Sequence, residues 1–307
     1  MKLPQFTEEN RNTNPIPPWM GEMDENDFIS CNTGFTRGSH CDLFDEYFYP
    51  CEEKGDIRYF IYNPIKYGAP ADRKYPAMMW IHGLNCSASG RRCVGSAGGE
   101  QFASEQNQAA MGGAFIIVPL ANEKSLEDGT IVGSWDEAYL PYLKAIFDKV
   151  CEEYSGNIGW RFIMGASSGG YVTWRMLELY QTYFHGGIPV SSRYLPDTDS
   201  LRQLEKAGTH LLVAHSRHDE MTSFSEYIAP REAELHALEN CICVFPEWAR
   251  NEDKGVASVN YGRERGQHCM INQIQANLMY QDGTCQDDRL PEGVTGWIRK
   301  VMAAFPC

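Results

Sequence analysis

Residues 159–184 read GWRFIMGASSGGYVTWRMLELYQTYF, and the six at the centre, Gly165 to Gly170, decide the fold. Gly159–Met164 is short, apolar and aromatic, the pattern of a buried strand. From Tyr171 to Phe184, Val172, Met176, Leu179, Tyr180 and Tyr183 fall at helical spacing. GASSGG therefore turns a strand into a helix, the setting in which G-x-S-x-G forms a nucleophile elbow. Gly165-x-Ser167-x-Gly169 fits that register, whereas a reading from Ser168 would need a glycine at Ala166. The elbow holds its serine in a strained backbone conformation and brings strand and helix close together, which is why glycines flank it. Ser168 then opens the helix, and its N–H points at negative charge forming beside Ser167. Ser168 is thus expected to contribute its backbone, not its hydroxyl. Without its flanks the motif would read equally well as a glycine-rich turn.

Working outward, the same alternation repeats. Strand patterns occupy DIRYFIYNP from Asp56, YPAMMWIHG (Tyr75–Gly83), GAFIIVPLA (Gly113–Ala121), GGIPVSS from Gly186, THLLVAHS (Thr209–Ser216) and CICVFP (Cys241–Pro246). Helical patterns fall at about Trp135–Tyr154 and at Gly293–Phe305. Continuous apolar strands alternating with helices predict a mostly parallel α/β sheet covered on both faces. Residues 1–54 are polar, proline-containing and weakly periodic. They are expected to form an extension packed on a single domain spanning 55–307.

In such sheets, functional groups gather at the carboxyl ends of strands. The loop after THLLVAHS holds Asp219, with Glu220 as the alternative acid, and the glycine-punctuated segment after the next strand holds His268. The order Ser167, Asp219, His268 is the one this architecture requires. A serine hydroxyl is a poor nucleophile at neutral pH. His268 would take its proton, and Asp219 would orient the imidazole and stabilise its charged form. Seven other histidines compete. The nearest, His218, adjoins the acid too closely to face it across a site. The second oxyanion donor is expected where His82-Gly83-Leu84 ends the Tyr75 strand, since Gly83 permits a sharp bend and Leu84 offers its N–H. Trp135 and Trp248 lie in expected strand-end loops, where they are candidates to contact an apolar or aromatic acyl group. Trp174 is expected to pack.

The composition excludes some partners. With 27 basic and 41 acidic residues the net charge is −14, which repels nucleic acid and anionic membranes. No apolar run near the start has the form of a signal peptide and none reaches membrane length, so the expected location is cytoplasmic. The eleven cysteines form no C-x-x-C, and no H-E-x-x-H occurs, so no metal is expected. Most cysteines are expected to be free thiols. Cys86 and Cys93 are near enough in sequence to pair in an oxidising compartment.

Taken together, WIHGLNC, GASSGGYVTW, HSRHDEM and GQHC resemble the α/β-hydrolase superfamily over roughly residues 55–305. Within it the chain is most similar to esterases and predicted peptidases related to the catalytic domains of prolyl oligopeptidase, feruloyl esterase and polyhydroxybutyrate depolymerase. The elbow with its following Gly-Tyr-x-Thr-Trp, and HGGIPVSS, carry this likeness. HGLNC also resembles the loop of the S-formylglutathione hydrolase and esterase D group, where the residue at the Leu84 position donates to the oxyanion. Two departures stand out. Ser216 replaces a usual glycine, and the segment after His268 is longer than a simple final loop. The resemblance implies a serine esterase acting on a small-molecule ester through an acyl-enzyme, without cofactor or metal. The alternatives are a peptidase of the prolyl-oligopeptidase type and a non-catalytic binding protein on the same fold. The oligomeric state is not legible.

Overall fold

A computed structural model of the chain describes residues 40–84, 93–96, 99–125, 131–219, 221–250, 254 and 267–306. Most of the amino-terminal extension, Cys86 and Glu220 lie outside this set. The strands are β1 (Asp45–Tyr49), β2 (Ile57–Tyr62), β3 (Tyr75–Ile81), β4 (Phe115–Pro119), β5 (Glu123–Ser125), β6 (Ile131–Gly133), β7 (Ile158–Ala166), β8 (Gly186–Val190), β9 (His210–Ala214) and β10 (Cys241–Val244). Strands β5 and β6 pair as a separate antiparallel ribbon. The other eight form one sheet in the order β1-β2-β4-β3-β7-β8-β9-β10. Pairing is antiparallel at β1–β2 and β2–β4, and parallel from β4 to β10.

Six helices suffice to describe the covering layers: α1 (Glu105–Met111), α2 (Leu140–Glu153), α3 (Ser168–Leu179), α4 (Thr198–Lys206), α5 (Met270–Gln275) and α6 (Gly293–Ala304). Alternate residues of β3 enter opposite cores. Ala77, Met79 and Ile81 meet Leu143, Ile146 and Phe147 of α2, Val172 and Trp174 of α3, and Leu201 of α4. Met78 and Trp80 enter the other layer, with Met111 of α1, Ile274 of α5 and Trp297 of α6. A strand buried on both faces has no polar face to show, which is why β3 and β4 read as continuous apolar runs.

Three expectations need adjustment. The boundary at residue 54 cuts through the sheet, because β1 lies before it and pairs with β2 along its full length. Helix α2 begins at Leu140 rather than near Trp135. Asp136 instead caps a short 3₁₀ turn by accepting from the Ala138 N–H, and Pro141 then sits in the first turn of α2. Helix α3 ends at Leu179, because the chain must reverse through Tyr180–His185 to enter β8. Trp174 is fully buried, as its packing role requires.

Candidate active site

Ser167 sits between the end of β7 and the start of α3, with β3 on one side of β7 and β8 on the other. Its backbone is at φ 58°, ψ −120°, a conformation that non-glycine residues rarely adopt. The strain is held in place from both sides. Its N–H donates to the Val190 carbonyl of β8 at 2.9 Å, and its carbonyl accepts from the Tyr171 N–H at 3.1 Å. The flanking glycines leave no room for a side chain. A Cβ at Gly169 would lie 2.1 Å from the Ile81 carbonyl oxygen and 2.6 Å from that of His82, and one at Gly165 would lie 2.6 Å from the Gly169 oxygen. Because the obstacles are backbone atoms, they cannot rotate away. Gly169→Ala is expected to destabilise the fold by about 2 kcal/mol or more, as overpacked cores do, read as a lower urea midpoint. An unchanged midpoint would mean that elbow and β3 are not in contact.

Ser168 is the first residue of α3, so its N–H belongs to the unsatisfied positive end of a twelve-residue helix. Its hydroxyl is buried and makes no hydrogen bond among the described residues. That leaves the backbone as the group it can offer.

The turn after β3 is fixed by side chains that sequence reading did not connect. His82 is fully buried. Its Nε2 accepts from the Ala121 N–H at 3.0 Å, so the ring proton is on Nδ1, which donates to the Gly83 carbonyl at 2.6 Å. Burial pushes the imidazole down to about 4, so it is neutral near pH 7. The His82 carbonyl accepts from Trp135 Nε1 at 2.9 Å, and the two rings lie 4.7 Å apart. Both carbonyls preceding Leu84 are therefore taken by protein donors, which sets the backbone at the expected oxyanion position. Trp135, a candidate for contact with an acyl group, is buried at 7% exposure beneath this turn. The Leu84 side chain is 53% exposed.

Across the carboxyl edge of the sheet, Asp219 and His268 come together. His268 Nδ1 lies 2.9 Å from Asp219 Oδ2 and 3.0 Å from Oδ1. The acid side chain is fully buried, while the histidine side chain retains 17% exposure. Four further groups converge on the carboxylate. The N–H groups of Met221 and Thr222 donate to Oδ1 at 2.9 and 2.8 Å, and Thr222 Oγ1 donates to Oδ2 at 2.9 Å. His215 Nε2 is 3.5 Å from Oδ2 and donates to the Thr222 carbonyl at 2.6 Å. Burial pushes His215 down, so it supplies a neutral N–H. Burial by itself would raise the Asp219 carboxyl. The facing His268 and its hydrogen bond, with His215 and the Thr222 N–H, outweigh burial and hold it well below the usual carboxylate range. An ionised Asp219 requires the proton of His268 to sit on Nδ1, which leaves Nε2 as an acceptor.

His218, the competing histidine, faces away toward Glu247, with Nε2 2.7 Å from Oε1. Trp248 packs against it at a tilt of 42°, with ring centroids 4.1 Å apart. Trp248 also lines a cavity of about 440 Å³ beside β10, together with Arg217, Arg250, Tyr280 and Arg289. No group of three or more metal-ligating side chains occurs among the described residues. No helix among them is long and apolar enough to cross a membrane. Cys51, Cys151, Cys241, Cys243 and Cys285 are free thiols.

Thr222 and His215 were missed as supports of the acid. The spacing Asp219-x-x-Thr222 carries a signal for the first, because aspartate side chains accept from backbone N–H groups two and three residues on. Nothing local marks His215.

An eight-stranded, mostly parallel sheet with helices on both faces and a strained serine between strand and helix defines the α/β-hydrolase fold. No protein-family model and no curated protein sequence matches the chain. Among solved structures it is similar to a thermostable esterase, with a TM-score of 0.57 and 20% identity over 77% of this chain and 62% of that one. The chain thus spans under two thirds of that esterase's length. It is also similar to a protein called FAE, with a TM-score of 0.51 and 13% identity over 81% of this chain and 93% of the other. A third similarity is to SOBER1 of Arabidopsis thaliana, with a TM-score of 0.44 and 19% identity over 75% and 99% of the two chains.

Proposed function

We propose that this protein is a serine hydrolase that cleaves a carboxylic ester through an acyl-enzyme. The observation that carries the reading is the buried Asp219 carboxyl hydrogen-bonded to His268 Nδ1, on the same sheet edge as a serine in a strained elbow. In this reading His268 Nε2 takes the proton of Ser167 as Oγ attacks the ester carbonyl. The carbonyl oxygen becomes an oxyanion, for which the N–H groups of Ser168 and Leu84 are the donors. Collapse breaks the bond to the alcohol, which leaves with the proton from His268. Water then loses a proton to His268 and attacks the acyl-enzyme, and Ser167 recovers its proton as the acid departs. Asp219 stays ionised throughout, stabilising each imidazolium.

Met221, 47% exposed, and Leu84 are apolar side chains on loops at this edge, which suits an uncharged, partly apolar ester. The negative chain repels polyanionic substrates. An alkyl fluorophosphonate should label the intact protein once, at Ser167, and Ser167→Ala should abolish labelling. Short-chain, long-chain and cinnamoyl esters, with aminoacyl amides, then separate esterase from peptidase chemistry. A folded protein that takes up no label would overturn the hydrolase reading in favour of a binding protein.

A further inference from the structure

Many residues separate the end of β10 from His268, a stretch named the histidine loop for its position in the sequence. It leaves β10 at Val244 and reaches His268 only after passing Ala249. Closing such a loop costs entropy, and a catalytic imidazole at its end needs a second point of attachment to keep a fixed place. The residue just before His268 provides one. Gln267 is 1% exposed, and its Oε1 accepts two hydrogen bonds. One comes from Ser216 Oγ at 2.8 Å and the other from the Ala249 N–H at 2.7 Å. Ser216 is fully buried and lies three residues before Asp219, in the acid loop. Ala249 is fully buried as well, at the start of the histidine loop.

We propose that Ser216, Gln267 and the Ala249 N–H form a clasp that joins the acid loop to both ends of the histidine loop and so positions His268 against Asp219. Ser216 and Gln267 are positioning residues, since each acts through its sequence neighbour. The clasp rests on the triad reading only for its use in catalysis. The attachment itself is independent of it. Ser216 is the residue that departs from the glycine expected at this place, and a glycine has no hydroxyl to donate. The histidine loop here therefore has an anchor that the expected glycine could not supply. A buried amide oxygen with two donors is well satisfied. Removing one donor loosens the hold on Gln267 while leaving the Asp219–His268 bond chemically possible.

The test compares Ser216→Ala, Ser216→Gly, Ser216→Thr and Gln267→Leu in the full chain. Two readouts are followed: the fluorophosphonate labelling rate of Ser167, and the titration of the His268 imidazole by NMR, assigned by its loss in His268→Gln. Urea midpoints control for global destabilisation. Loss of the hydroxyl should slow labelling about tenfold, in line with the cost of small misplacements at a reacting centre. It should also make His268 titrate at lower pH, because a looser Asp219 contact stabilises the imidazolium less. Ser216→Thr, which keeps the hydroxyl, should restore both. Ser216→Ala added to Gln267→Leu should cost nothing further, as expected for two members of one contact. The clasp is overturned if the labelling rate and the His268 titration both stay at wild-type values in Ser216→Ala and Gln267→Leu. It is equally overturned if labelling falls while the titration holds. If the wild type takes no label at Ser167 but the His268 titration still moves with Ser216→Ala, the hydrolase reading fails and the clasp stands.

Discussion

Asp219→Asn is expected to slow fluorophosphonate labelling of Ser167 about 10⁴-fold while leaving the fold intact, the size of effect seen when a triad acid is neutralised. The direction follows from which oxygen is already committed. Oδ1 of Asp219 accepts from the N–H groups of Met221 and Thr222. An asparagine must put its carbonyl oxygen there, because an amide NH₂ would face two donors. Its NH₂ then takes the place of Oδ2, facing His268 Nδ1 and Thr222 Oγ1. A donor opposite Nδ1 favours the tautomer with the proton on Nε2, and that imidazole cannot accept a proton from Ser167. The amide is isosteric with the carboxylate, so the urea midpoint at neutral pH should change far less than the rate. Labelling within about tenfold of wild type would mean that Asp219 does not set the tautomer. The acid would then be sought elsewhere.

The parts of this site that could be read beforehand are those whose signal is local. The β7–α3 elbow is written in six consecutive residues, and its neighbours switch from strand to helical spacing around it. Chain order and the preceding strands pointed to Asp219 and His268, which the structure brings within 2.9 Å of each other. Strand β1 was not, because DEYFY buries neither face. Its residues alternate between half-buried and exposed at the edge of the sheet, and it sits in an otherwise polar segment. Helix α1 is only seven residues long, and α4 buries only Leu201 and Leu204, too few for a period to emerge. The supports of the site were hidden for a different reason. Trp135 reaches the His82 carbonyl across 53 positions, and Gln267 reaches Ser216 across 51. A single hydrogen bond between distant segments leaves no pattern in either one. It also decides whether a tryptophan in a strand-end loop faces a ligand or holds up a turn.

Stability is expected to fall as the pH drops from 7 to 5, with His82 contributing about 2 kcal/mol of the loss by pH 5 and about 3 kcal/mol by pH 4. Burial holds the folded imidazole at about 4, whereas an exposed one titrates near 6.5. Between those values the unfolded chain binds a proton on His82 that the folded chain does not. Stability from this group is therefore complete above about 6.5 and drains away as the pH falls toward 4. His185, also held down to about 4 by burial and by Arg161, adds in the same direction. Asp219 does not contribute in this window. Its folded carboxyl lies below the ordinary range, so its stabilisation is lost only under more acidic conditions. His82→Gln keeps an acceptor for the Ala121 N–H and cannot take up a proton. The variant should be less stable at pH 7, yet lose less on going to pH 5, in urea unfolding at each pH. Equal slopes for variant and wild type would assign the acid sensitivity to other groups. The consequence reaches the site, because a protonated His82 would set a donor against the Ala121 N–H and break the contact between β3's end and Ala121. In the folded chain that protonation comes only near pH 4, so Leu84, two residues on, should keep its fixed backbone across the window in which stability drains away, and an effect of His82 on labelling of Ser167 should appear only as the pH approaches 4.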